Sequence, residues 1–144
     1  MHSVFDVAKH VLQECGEVTT MKLQKLVYYC QAWSLAWDGI PLFAEDFEAW
    51  AGGPVCPQLF AKHKGHFLIN EGAFSDIPDA DFTTDEIDTM KVVLATYCDK
   101  TPQWLSDLTH SERPWRESRG NTSPGYPCNT VISKALMQEY YSGL

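Results

Sequence analysis

Between Thr19 and Gly39 the chain carries one long stretch whose apolar residues recur at helical spacing, and nothing else in the sequence limits the fold as strongly. Leu23, Leu26, Val27, Cys30, Ser34 and Trp37 line one face, and Tyr28, Tyr29 and Trp33 widen it. A helix apolar over so broad an arc has to be covered on several sides, which predicts a position at the centre of a helical bundle. Both of its ends are marked. The Thr19 hydroxyl can accept from the unpaired amides of the first turn, and Val18 before it is placed to pack on Leu23. Gly39 suits the left-handed residue that ends a helix.

Shorter segments fall on either side. Val4, Val7, Ala8, Val11, Leu12 and Cys15 form a second amphipathic stripe, with Ser3 as its cap and Gly16 as its stop. From Ile40 to Pro57 the period changes, and Gly52-Gly53-Pro54 with Pro57 predicts a shaped loop or a small hairpin. Gln58 to Lys64 reads as one or two helical turns, and Gly65 to Thr83 as an irregular acidic segment. Thr83-Thr84-Asp85-Glu86 matches a capping box, followed by the helical series Ile87, Met90, Leu94, Tyr97 and Cys98. Thr101-Pro102 starts a short helix carrying Trp104, Leu105 and Leu108. The run Thr109 to Trp115 is expected to break it, a polar loop to follow through Asn129, and a last helix to cover Thr130 to Tyr141 with Ile132, Ala135, Leu136 and Tyr140 on one side. The expectation is a mainly α, single-domain compact helical bundle over residues 1–144, with a small irregular or β-hairpin insert around residues 40–57.

Composition narrows the function. Eleven basic against nineteen acidic residues leave a formal charge of −8, the wrong balance for neutralising a phosphate backbone. A nucleic-acid binder or transcription regulator is therefore disfavoured, and a basic partner would be steered toward the surface. The five cysteines, Cys15, Cys30, Cys56, Cys98 and Cys128, are odd in number and contain no C-x-x-C pair. No signal peptide opens the chain and no apolar run is long enough to span a bilayer, so the expectation is a cytoplasmic protein with reduced thiols and no membrane contact.

Three pieces of the chain resemble one known family. Met21-Lys22-Leu23-Gln24-Lys25-Leu26-Val27-Tyr28-Tyr29-Cys30-Gln31 is similar to the K-L-Q-K-L-x-Y-x-x-Q segment of the SocA-like Panacea antitoxin domain. Gly39-Ile40-Pro41-Leu42-Phe43, Phe47-Glu48-Ala49-Trp50 and Gly53-Pro54-Val55 with Pro57 resemble its G-x-x-L-F, E-A-W and G-P-V-x-P landmarks. Leu105 to His110 with Pro114-Trp115 resembles its third. The pieces keep the family's order and spacing. The resemblance implies a helix-dominated fold with a small irregular or β insert. It also implies the antitoxin half of a two-gene toxin–antitoxin pair, often carried by mobile elements and prophages, which neutralises a cognate protein toxin from a neighbouring gene by forming a complex with it. At least one lineage of the family acts as an adaptor delivering its toxin to a cellular protease. A chain of 144 residues leaves no room for an added DNA-binding domain.

The candidate toxin-binding residues are Trp50, Gly52, Gly53, Pro54 and Val55, where a rigid loop sits beside a large aromatic, together with Lys22, Lys25 and Tyr29. The two lysines are either a solvated edge whose stems cover the core, or ion-pair donors to a toxin or to an internal carboxylate such as Glu48. Leu23, Leu26, Trp33, His110, Pro114 and Trp115 are expected to be structural or supporting, with His110 bonding backbone or packing under Trp115. The acidic residues from Glu71 to Asp88 read as a solvated loop and helix start; their alternative use is mimicry of nucleic acid in a basic toxin site. An enzyme is not expected. The competing reading is a small hydrolase or nuclease using His110, Glu112 and Cys56, which requires a nucleophile and a base within hydrogen-bond reach. His63 and His66 with one distant Cys56 do not complete a metal ligand set, so two exposed histidines are expected, with no metal and no cofactor.

Overall fold

A computed structural model describes residues 1–144. Its elements run α1 (Val4–Cys15), β1 (Val18–Thr19), α2 (Thr20–Asp38), β2 (Phe47–Trp50), β3 (Gly53–Val55), α3 (Pro57–His63), β4 (Leu68–Ile69), α4 (Thr84–Tyr97), α5 (Pro102–Ser111), α6 (Arg113–Arg119), β5 (Val131–Ile132) and α7 (Lys134–Ser142). The mainly α expectation holds, and the insert is a true hairpin.

The long central helix forms as its sequence dictates. Thr19 Oγ1 accepts from the Lys22 amide at 3.1 Å, and Gly39 closes the helix with φ of 69°. All residues from Leu23 to Ala32 are buried, so α2 is enclosed on nearly every side by α1, α4, α5 and α7. At such positions a leucine is worth roughly 2–5 kcal/mol against alanine. The capping boxes at Ser3–Asp6 and Thr83–Glu86 start α1 and α4 at the expected residues.

Two glutamines on α2 tie the insert to the helix. The Gln31 amide accepts from the Leu42 N–H at 2.7 Å and donates to the Phe43 carbonyl at 2.8 Å. Seven residues earlier, Gln24 accepts from the Cys56 N–H at 2.9 Å and donates to the Cys56 carbonyl at 3.3 Å. Each amide thus satisfies backbone groups that a loop buried against a helix would otherwise leave unpaired. Between these two anchors, β2 pairs antiparallel with β3 in the register Glu48↔Val55, Ala49↔Pro54 and Trp50↔Gly53, leaving Ala51-Gly52 as the turn. On its other edge β2 takes β5, with Phe47 opposite Ile132.

Several expectations need correction. Arg113–Arg119 is helical, not loop: Pro114 sits in the first turn, where its missing N–H costs nothing, and only one large apolar side chain follows, so no stripe marked the helix. The last helix starts at Lys134, because Val131 and Ile132 are drawn into the sheet, and it buries Met137 and Tyr141 where Ala135 and Tyr140 stay outside the core. The Gly65–Thr83 segment is less irregular than its composition suggests, with β4 pairing to β1 and a 3₁₀ turn at Glu71–Phe74 that buries Phe74. Cys15 and Cys98, with Cα atoms 5.8 Å apart, form a disulfide between the C-terminal ends of α1 and α4, which overturns the expectation that all five thiols are reduced. His63 is buried, its Nε2 3.0 Å from Gln24 Nε2, and only His66 is exposed. No helix is long and apolar enough to cross a membrane.

Candidate partner-binding site

The turn of the hairpin is held rigid from one side. Three successive carbonyls, Ala49, Trp50 and Ala51, each accept a hydrogen bond from a side chain on α5 or α6. Arg119 Nη1 reaches Ala49 at 2.9 Å, Trp115 Nε1 reaches Trp50 at 2.8 Å, and His110 Nε2 reaches Ala51 at 3.0 Å. A carbonyl only accepts, so His110 Nε2 donates to Ala51, while Nδ1 lies within hydrogen-bond reach of the Ser106 hydroxyl and carbonyl one turn back. The three donors also stack, with the His110 ring edge-on to Trp115 at 4.1 Å and the Arg119 guanidinium over Trp115 at 5.0 Å. Arg119 uses its remaining donors on the Ser123 and Tyr126 carbonyls, which orders the loop after α6. His110 and Trp115 therefore hold the position foreseen for them, while Arg119 had no periodic neighbour to announce it.

Not all of the candidate loop is at the surface. Gly52 is exposed and Trp50 half-buried, but Gly53, Pro54 and Val55 are buried and cannot be touched directly by a partner in this state. Gly53 has φ of 123°, and a Cβ there would meet Lys25 Cε and Thr109 Oγ1, both at 3.3 Å. Glycine is therefore required on two counts, conformation and space. Beside the turn, Glu48, Trp50, Gly52, Pro127 and Cys128 line an open depression.

The two lysines on α2 behave differently from the solvated pair that was one reading of them. Lys22 is partly exposed and donates to the Cys98 carbonyl. Lys25 is only 2 % exposed, lies beside Gly53 and Thr109, and forms no ion pair; Glu48 is instead bonded to Trp50 Nε1 at 2.8 Å. Burial without a counter-charge lowers its pKa to about 8.

One helical turn on from Lys25, Tyr29 leads to a buried carboxylate. Its hydroxyl donates to Glu112 Oε1 at 2.7 Å, and Tyr141 donates to the same oxygen at 2.8 Å. The Tyr28 and Tyr141 hydroxyls are 3.2 Å apart, so with Tyr141's proton committed to Glu112, Tyr28 must be the donor of that bond. Burial pushes the Glu112 carboxyl pKa up, against the pull of the two tyrosine bonds. Tyr29 stacks on Tyr97 at 4.6 Å, and Trp33 lies 4.8 Å from Trp37 and 5.4 Å from Tyr141. Leu23 and Leu26 are fully enclosed, and Pro114 is buried in the first turn of α6.

This arrangement does not assemble a hydrolytic dyad. His110 is bonded to Ala51 and Ser106, Glu112 to two tyrosines, and Cys56 is fully buried with its thiol pushed up to about 11 by burial. None of the three hydrogen-bonds another. Among the acidic residues, Asp79 meets Lys9 at 3.0 Å and Glu86 meets His2 at 2.9 Å, so part of that segment is tied back to α1 and the residues before it.

The chain has no match among curated proteins or solved structures. It does match the family described as Antitoxin SocA-like, Panacea domain, over residues 23–116, a span that contains most of α2, the hairpin, the buried lysine, Glu112 and two of the three clamp donors. With well over half of its length matched, the chain belongs to the SocA-like Panacea antitoxin domain family.

Proposed function

We propose that this protein is an antitoxin that neutralises a cognate protein toxin by binding it directly. Family membership over residues 23–116 is the observation that carries this reading. The geometry is consistent with it, because a partner-binding surface gains affinity from elements already fixed in their bound shape. The tip Trp50-Ala51-Gly52 is such an element, clamped by His110, Trp115 and Arg119 and flanked by an open depression. In this reading Trp50 and Gly52 touch the toxin, whereas Gly53, Pro54, Val55 and Tyr29 shape the surface from beneath.

Co-expression with each neighbouring gene product is the direct test. Rescue of growth from a toxic neighbour, with both chains purifying together, is the expected result; no toxic neighbour, or rescue without a complex, would refute it. Trp50→Ala should weaken the complex at least tenfold, as expected for an aromatic anchor, with an unchanged circular dichroism spectrum.

A further inference from the structure

Glu112 has a carboxyl oxygen that the fold does not use. The residue is 5 % exposed, and its Oε1 accepts both tyrosine bonds. No hydrogen bond or ion pair reaches Oε2. Every fully enclosed side-chain nitrogen or oxygen in the protein has a partner, so Oε2 must open to the surface. The nearest arginines in sequence are engaged elsewhere: Arg113 Nε holds Glu117 at 2.6 Å, and Arg116 Nη1 holds the Ser111 carbonyl at 3.1 Å. A glutamine would satisfy Tyr29 and Tyr141 equally well without burying an anion, so the two bonds do not account for a carboxylate.

The surroundings are aromatic. Tyr29 and Tyr141 bond the carboxylate, and Tyr97 and Tyr140 lie within its field, their hydroxyl pKa values raised by burial and then by Glu112. Beyond them the rings continue to the surface, through Trp33 to Trp37, which is 52 % exposed, and through Tyr97 to Trp104 at 6.3 Å. A carboxyl oxygen that reaches solvent beside a cluster of aromatic rings is chemistry suited to an organic cation.

We infer that Glu112 and the aromatic side chains around it form a receptor for the guanidinium of an arginine on the partner protein. A guanidinium donates in its plane and stacks through its faces, so it uses both the open oxygen and the rings; an ammonium uses mainly the first. The formal charge of −8 favours a partner that brings basic residues. The inference rests on the partner-binding reading for its occupant, and on the geometry of Glu112 alone for its chemistry.

The test uses the full chain and a blocked arginine, N-acetyl-arginine amide, titrated while the Trp33, Tyr97 and Tyr140 ring signals are followed by NMR. Saturable shifts are expected in the wild type, at least tenfold weaker in Glu112→Gln, and absent with the neutral isostere N-acetyl-citrulline amide. Unsaturable shifts, equal binding by Glu112→Gln, or equal binding of citrulline overturns the inference. Thermal unfolding of Glu112→Gln at or above the wild-type midpoint shows that a loss of binding is not a loss of fold. With a co-purified toxin, Glu112→Gln should weaken the complex at least tenfold; an unchanged complex beside a responsive arginine probe overturns the protein-borne arginine as occupant. If no toxin binds the wild type but the arginine probe does so through Glu112, the antitoxin reading fails and the guanidinium receptor stands.

Discussion

Replacing Lys25 with methionine should make the protein more stable, by an amount that depends on pH in a defined way. Lys25 is 98 % buried beside Gly53 and Thr109, its ammonium lacks any ion pair, and burial lowers its pKa from 10.5 to about 8. Below pH 8 the lysine is protonated both folded and unfolded, and the folded state carries the whole desolvation cost. A shift of this size corresponds to about 3 kcal/mol at pH 7. Between pH 8 and 10.5 the unfolded chain binds the extra proton, so stability rises with pH and the cost fades to about 1.5 kcal/mol near pH 9.5. Methionine keeps the length of the stem and removes the charge. Urea denaturation of both proteins at pH 7 and pH 9.5 reads the difference directly, and the other titrating groups cancel between the two. Lys25→Met should gain about 3 kcal/mol at pH 7, roughly 6–12 °C in melting temperature for a chain of this size, and about half that free energy at pH 9.5. A variant that is less stable at pH 7, or a gap that does not narrow at pH 9.5, would refute the idea that this ammonium is buried without compensation.

Two further outcomes follow from the same geometry. Arg119→Met removes donors from the Ala49, Ser123 and Tyr126 carbonyls and should cost about 3 kcal/mol, with amide exchange rising first in residues 119–126. No change in stability, with no rise in exchange in the hairpin or in residues 119–126, would show that the clamp is incidental. Reduction of the Cys15–Cys98 bridge, which closes a loop of 83 residues, should lower stability by about 4 kcal/mol on chain-entropy grounds. The check is denaturation with and without reductant beside Cys15→Ser; in a reducing cytoplasm this contribution is missing, so a variant equal to the oxidised wild type would mean that the bridge adds nothing.

How much was legible follows from how far each signal reaches along the chain. The helices α1, α2 and α4 were readable because caps and stripes are local, and Ser3, Thr19, Thr83 and Gly39 each act on neighbours within four residues. The break foreseen at 109–115 falls at Glu112, but the loop expected to follow it is helical through Arg119, because α6 is held by one tryptophan and by carbonyls of a strand more than sixty residues earlier. The same distance hid the disulfide, whose cysteines are 83 residues apart, and the roles of Gln24 and Gln31. Both glutamines lie inside an apolar stripe at a spacing of seven, which is the one sign that they were needed inside. His63 was misjudged for a like reason, since its partner is the Gln24 amide and not a metal or water. Lys25 was misplaced because a lysine at the margin of a stripe normally extends its stem toward solvent, and here the hairpin closes over it.

Lys25 and Glu112 are ionisable side chains buried where apolar groups would serve a core better, which favours the partner-binding reading proposed above. Lys25 lies on α2 beside Gly53, Glu112 follows the end of α5, and the two form no ion pair. A fold selected for stability alone would replace both by apolar groups of similar size, which removes their desolvation costs. Instead Glu112 is fixed by the hydroxyls of Tyr29 on α2 and Tyr141 on α7, and Lys25 is left without an acid. In the partner-binding reading proposed above, stability withheld at Glu112 is available to a ligand that satisfies its unused oxygen. The hairpin clamp supplies the complementary half of the argument. It directs its donors to backbone carbonyls, holding the Trp50 tip in place in advance of binding.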